Sequence, residues 1–270
     1  MKRKNLLYLI FLVIFLVILF LLLITCHNKK QETYHFEVIK NKDDIELSPR
    51  LSEKDKNNVK LAQAKLKNML KIFNDICDRE GFEYFATGGT MLGAYLYEGI
   101  IPWDLDIDVA VNEKDFDKLA VILQKELPEN MFFQSSKNDK NYSPDSTIVG
   151  KIRDKNSCYI EWTNKTKGGK KWHNGLQIDV IIFRDKGNKV EVPNDKLSMK
   201  RETVYPLKKK SFDGIPLSVM NNSEKILVYE YGKKCMKILP LEERFSHEGL
   251  VDPVNTCPHH YDLYPEIYHK

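Results

Sequence analysis

No low-complexity tract and no internal repeat runs through these 270 residues, which excludes a solenoid, a collagen-like rod and a mainly disordered chain. Cysteine is scarce, at five residues, and none stands in a Cys-x-x-Cys or Cys/His spacing that suits structural zinc. The run Cys257-Pro258-His259-His260 lacks a partner pair elsewhere. Net charge is small too: Lys2, Arg3 and Lys4 supply three of the formal +4. No basic patch is interleaved with aromatics, so nucleic acid is not an expected partner. The short run Lys208-Lys209-Lys210 reads as a solvated loop.

Against that background, Leu6–Ile24 stands out as 19 residues without a charge, enough to span about 30 Å of hydrocarbon. It is longer than the apolar region of a cleaved signal peptide, and no Ala-x-Ala-like site follows, so it is expected to be a signal anchor. The basic flank places residues 1–5 in the cytosol and the remainder across the membrane. This reading makes a single-pass type II membrane protein with a lumenal domain, in the Golgi or endoplasmic reticulum. Acceptor triplets at Asn141, Asn164 and Asn221 suit that side, and the cysteines beyond the span allow one or two disulfides whose pairing stays open. Residues 25–54 are polar and read as a stem. Residues 55–245 have room for one domain, and residues 246–270 read as a tail without clear periodicity.

Within the domain, Val59, Ala62, Leu66, Met69, Phe73 and Ile76 recur at three and four residues, which predicts an amphipathic helix ending before Gly81. A short aromatic strand at 82–86, a Gly-Gly turn and a helix over 91–97 follow. Ile107, Val109 and Val111 alternate with Asp106, Asp108 and Ala110, the period of a strand with one apolar and one acidic face. Further strands are expected at 148–153, 158–162 and 176–183, and helices over 115–127 and 224–234. The class is α+β (α/β), a mixed sheet flanked by helices.

Chemistry concentrates at Asp104, Asp106 and Asp108, whose spacing puts three carboxylates on one face of an extended segment. Crowded like charges are unfavourable without a counter-charge, and a hard divalent ion with oxygen ligands, Mg2+ or Mn2+, supplies one. A calcium loop starting at Asp104 fails, because it needs Gly where Val109 stands and Glu where Asp115 stands. Two rival readings stand beside a metal site: an exposed acidic strand end, and the Asp-x-Asp pair of a nucleotide-sugar glycosyltransferase. Against the latter, only one helix and one short strand precede Gly88-Gly89, too little for a nucleotide-binding region.

The segments Phe85-Ala-Thr-Gly-Gly-Thr-Met-Leu-Gly-Ala-Tyr and Ile101-Pro-Trp-Asp-Leu-Asp-Ile-Asp-Val resemble the LicD/fukutin family of nucleotidyltransferase-fold proteins. The likeness continues through Lys151-Ile-Arg-Asp-Lys-Asn, Gly175-Leu-Gln-Ile-Asp-Val, Pro206-Leu-Lys-Lys-Lys-Ser-Phe-Asp-Gly and Tyr229-Glu-Tyr-Gly. It implies a phosphotransferase that moves a phosphorylated alcohol, such as phosphocholine or ribitol phosphate, from a CDP-linked alcohol donor to a glycan acceptor on a glycoprotein or glycolipid. Asp106, Asp108 and Asp179 would be its catalytic and metal-binding acids, with Asp179 the first choice of general base. Gly88 and Gly89 would let the backbone approach a diphosphate, and the amides opening the helix at Thr90 would offer an anion site. Lys151 and Arg153, on one strand face, would meet donor phosphates. Leu105 departs from the family's frequent acid at that position, but on the opposite strand face it suits the core. A catalytically silent member serving as a glycan-binding module is the third reading.

Overall fold

The computed structural model describes residues 13–18, 33–142, 147–161, 172–192, 197–247 and 249–268. The chain divides into two compact units, Met1–His35 and Phe36–Lys270. In the first, residues 13–18 are helical and exposed, and the rest of the expected membrane span lies outside the described residues. Among the described residues, no helix is long and apolar enough to cross a membrane.

The first α-helix of the second unit is α1 (Glu53–Glu80). The Ser52 hydroxyl accepts from the Asp55 N–H while the Asp55 carboxylate accepts from the Ser52 N–H, a reciprocal cap worth about 1 kcal/mol. The helix stops at Gly81, whose φ of 73° is left-handed. Its predicted apolar stripe, Val59 to Ile76, is buried against the sheet side of the core.

Strands β1 (Tyr84–Ala86), β2 (Asp106–Asn112), β3 (Met131–Ser135) and β4 (Ile148–Asp154) share a sheet with β6 (Gln177–Asp185), while β5 (Cys158–Glu161) lies outside it. The order is β1-β2-β6-β4-β3, extended from β6 through β7 (Lys189–Val192) to β8 (Leu197–Lys200). β2 and β6 run parallel and the remaining neighbours antiparallel. Helices α2 (Gly88–Leu96), α3 (Glu113–Glu126) and α4 (Ser223–Tyr231) complete the mixed α+β architecture. Leu105 is buried, as its strand face requires.

Three sequence-based boundaries shift. The stem assigned to 25–54 is part of the domain from Phe36 onward: Leu47 and Leu51 are buried, and Ile39 donates its N–H to the Leu96 carbonyl at 2.7 Å. Such an extended segment buries side chains without a period to reveal it. The Lys208-Lys209-Lys210 run is not a loop but lies in β9 (Lys208–Phe212), paired with β10 (Ile215–Val219). Its ammonium groups stay at the surface, with Lys210 4.2 Å from the centroid of Tyr95.

The third shift concerns the tail assigned to 246–270, which over its described residues is folded onto the domain. β11 (Gly249–Asp252) pairs with β5, and Cys257 is disulfide-bonded to Cys158. Beyond it His260 is fully buried, its ring stacked on His173 at 3.9 Å. Asn174 donates its backbone N–H to Nε2 of His260, and Gly175 donates its N–H to Nδ1 of His173. Nδ1 of His173, as an acceptor, carries no proton, so that imidazole is neutral, whereas Nε2 of His260 also meets the Asn174 side-chain oxygen at 2.7 Å. Burial holds His173 well below the usual histidine range and His260 down to about 3.

Both rings are therefore less protonated when folded than when unfolded. Stability should be full above pH 6.5 and fall as pH drops from 6.5 towards 3, by roughly a few kcal/mol. Urea midpoints measured between pH 7.5 and 4.5 would show the decline, and His260→Gln should flatten it. A pH-independent midpoint would rule out this contribution.

Candidate functional site

The strand register assembles the site. Asp108 on β2 is directly opposite Asp179 on β6, which is directly opposite Lys151 on β4, which in turn faces Gln134 on β3. One row across four strands thus reads Asp108, Asp179, Lys151, Gln134. Two residues along, the next row reads Asp106, Gln177, Arg153, Phe132. Because side chains alternate, these rows project from one face of the sheet.

Carboxylate oxygens of Asp106, Asp108 and Asp179 all lie within 4.8 Å of one another. Asp179 is 3% exposed and Asp106 9%. Three negative charges this close need a cation, and the protein supplies one: Lys151 Nζ donates to Asp179 at 2.5 Å, both side chains being buried. Burial pulls the Lys151 ammonium below its ordinary range, while Asp179 acts against that pull. A hard divalent ion with oxygen ligands fits this donor set, three carboxylates whose oxygens lie within 4.8 Å of one another.

Behind the acids runs a buried hydrogen-bond chain. Gln177 donates to Asp179 at 3.2 Å, Arg153 donates to Gln177 and, at 2.8 Å, to Gln134, and Gln134 donates to Asp139 at 2.6 Å. Arg153 is 1% exposed and also donates to the Gly175 carbonyl at 2.9 Å. Arg153, expected to meet donor phosphate, is buried, and its guanidinium reaches Asp179 through Gln177. Trp172 lies over both cations, its centroid 5.7 Å from Lys151 Nζ and 5.3 Å from the Arg153 guanidinium.

The glycine pair sits against the carboxylates. Gly88 has a φ of 52°, and a Cβ there would stand 3.1 Å from Oδ2 of Asp108. At Gly89 a Cβ would stand 2.7 Å from Oδ2 of Asp104. A side chain at either position would press on an acid. Thr90 uses its hydroxyl oxygen to accept from the Asp108 N–H at 2.8 Å, which ties the first turn of α2 to β2. That turn leaves its leading amides without helical partners beside the acid cluster. Asp104 accepts from the Leu105 N–H at 3.1 Å and lies outside the close trio. Trp103 is buried edge-on against Tyr97, centroids 5.9 Å apart, so it packs.

Sequence reasoning gave no role to Gln177, Gln134 or Tyr231. The first two carry the right period, two residues from Asp179 and in register with Lys151, but glutamine alone gives no chemical signal. Tyr231 lies at the end of α4, and its hydroxyl stands 3.5 Å from the Gly88 Cβ position. The second His/Cys/Asp/Glu grouping, Cys257 with His259 and His260, has its sulfur tied to Cys158 and offers no thiolate.

Comparisons with known proteins now bear on this geometry. A family model described as LicD/FKTN/FKRP, nucleotidyltransferase domain, matches residues 81–222, just over half of the chain. The lipopolysaccharide cholinephosphotransferase LicD of Haemophilus influenzae is 24% identical over 143 residues, 53% of this chain and 46% of that protein. The match thus spans under half the length of that relative. Among solved structures, ANT(2")-Ia in complex with adenylyl-2"-tobramycin has a TM-score of 0.39 at 11% identity, covering 62% of this chain and 75% of that one. The lincosamide antibiotic adenylyltransferase LnuA, lincomycin-bound, has a TM-score of 0.37 at 10% identity, covering 70% and 99%.

Proposed function

Because the chain belongs to the LicD/FKTN/FKRP nucleotidyltransferase-domain family, we propose that it transfers a phosphorylated alcohol from a CDP-linked donor to a glycan acceptor, releasing CMP. The observation that carries this reading is the row of Asp108, Asp179 and Lys151 across three strands, with Asp106 beside it. The cholinephosphotransferase relative supports transfer of a phosphorus-containing group in general.

Asp106, Asp108 and Asp179 would hold Mg2+ or Mn2+, which when bound neutralises charge on a diphosphate and on its leaving oxygen. Lys151 restrains Asp179 and places a cation beside the reacting phosphate. The first turn of α2 directs backbone amides to the same region, with Gly88 and Gly89 keeping it clear of side chains. An acceptor hydroxyl would attack the distal phosphorus in line and pass its proton to a carboxylate of the cluster. The disulfide between Cys158 and Cys257 supports an oxidising compartment, hence a lumenal domain on a membrane-anchored chain of the Golgi or endoplasmic reticulum.

The full chain in detergent, given CDP-choline or CDP-ribitol with Mn2+ and a glycan mixture, should release CMP, and a chelator should stop it. Consumption of UDP- or GDP-sugars alone would replace this reading with that of a glycosyltransferase.

A further inference from the structure

Helix α4, which begins at Ser223 and ends in the Tyr229-Glu-Tyr-Gly segment, delivers a side chain to the acid cluster. Tyr231 is the last residue of that helix and is 38% exposed as a residue. Its hydroxyl and Oδ2 of Asp108 border the same point, standing 3.5 Å and 3.1 Å from where a Cβ at Gly88 would be. Glycine at that position keeps the space between phenol and carboxylate open, and the left-handed φ of 52° disfavours a side chain there. A diphosphate oxygen held beside Asp108 would be within the reach of the phenol. The acids around it can only accept, so a neutral O–H contributes what they lack, a donor to an anionic oxygen. A tyrosine phenol keeps its proton at neutral pH, so it is present as a donor.

Resting on the phosphotransfer reading above, we infer that Tyr231 is a catalytic residue whose hydroxyl donates a hydrogen bond to a diphosphate oxygen of the donor, across the gap that Gly88 leaves. In the transfer, the acceptor O–P bond forms and the P–O bond to CMP breaks with its electron pair. The acceptor proton goes to a carboxylate, and Tyr231 keeps its own throughout.

Tyr231→Phe retains the ring and removes only the hydroxyl. The test titrates the full chain with Mn2+ and then with inorganic pyrophosphate by calorimetry, and follows CMP release from CDP-choline. Tyr231→Phe should bind Mn2+ as the wild type does, bind pyrophosphate about tenfold more weakly, and turn over on the order of a hundredfold more slowly. Asp108→Asn should lose Mn2+ itself. Unchanged pyrophosphate affinity and turnover in Tyr231→Phe, with Asp108→Asn unable to hold Mn2+, would overturn the role of Tyr231 and leave the metal site standing. Loss of Mn2+ binding in Tyr231→Phe would also overturn it, showing a structural effect. Wild-type binding of Mn2+ and pyrophosphate without CMP release would sink the donor reading alone, and the pyrophosphate comparison would still decide the contact. A wild type that takes up no Mn2+ would refute both.

Discussion

Asp108→Asn should lower turnover on the order of a thousandfold, equivalent to about 4 kcal/mol of transition-state stabilisation, while the protein stays folded. Asp108 shares a site of 4.8 Å with Asp106 and Asp179, so an incoming cation depends on all three carboxylates. An amide keeps the shape and one acceptor oxygen but removes the charge, and a hard divalent ion loses most of its attraction. The same substitution relieves like-charge crowding, so thermal stability without metal should hold or rise, by on the order of 1 kcal/mol. Melting curves with and without Mn2+ separate the effects: the wild type should gain stability from the ion and Asp108→Asn should not. Equal turnover in Asp108→Asn and wild type would remove the metal centre from the mechanism and favour a silent, glycan-binding member.

Cys257→Ser should cost about 2–4 kcal/mol, and the bridge in question closes a sequence separation of 99 residues. Long loops gain most from a cross-link in the chain-entropy view, since an unlinked chain has more conformations to lose. Here the bridge also seats the segment that carries His260 and Tyr264. Tyr264 donates to Asp139 at 2.9 Å, and Asp139 begins the chain through Gln134, Arg153 and Gln177 to Asp179. Releasing the segment should therefore lower turnover as well as stability, although no atom of Cys257 belongs to the acid cluster. Urea unfolding of wild type and Cys257→Ser, each with and without reductant, measures this: the reductant should bring the wild type down to the variant. A reductant-insensitive wild-type midpoint would show that the bridge contributes nothing.

Local sequence carried much of the fold because periodicity is a local property. The stripe from Val59 to Ile76, the alternation from Asp106 to Val111 and the left-handed stop at Gly81 each follow from neighbours a few residues apart. Asp106 and Asp108 were legible in the same way, since one strand puts them on one face. Segments that pair only with distant partners were not. β3 and β11 are short, and nothing local distinguishes them from loops until β4 and β5 supply their hydrogen bonds, whereas β9 closes on β10 across the adjacent Asp213-Gly214 turn, a local hairpin signal that its lysines mask.

The sequence by itself determined the main elements, the acidic strand and the third acid's place on a strand of its own. Tertiary structure alone decided that β2 and β6 run parallel in a register setting Asp108 against Asp179. It likewise decided that Lys151 bonds Asp179 while Arg153 bonds Gln177, that Cys158 pairs with Cys257, and that Tyr231 reaches the cluster. The division has one physical cause. Backbone conformation and amphipathic patterning depend on adjacent residues, whereas register, ion pairing and cross-linking depend on which distant surfaces bury one another.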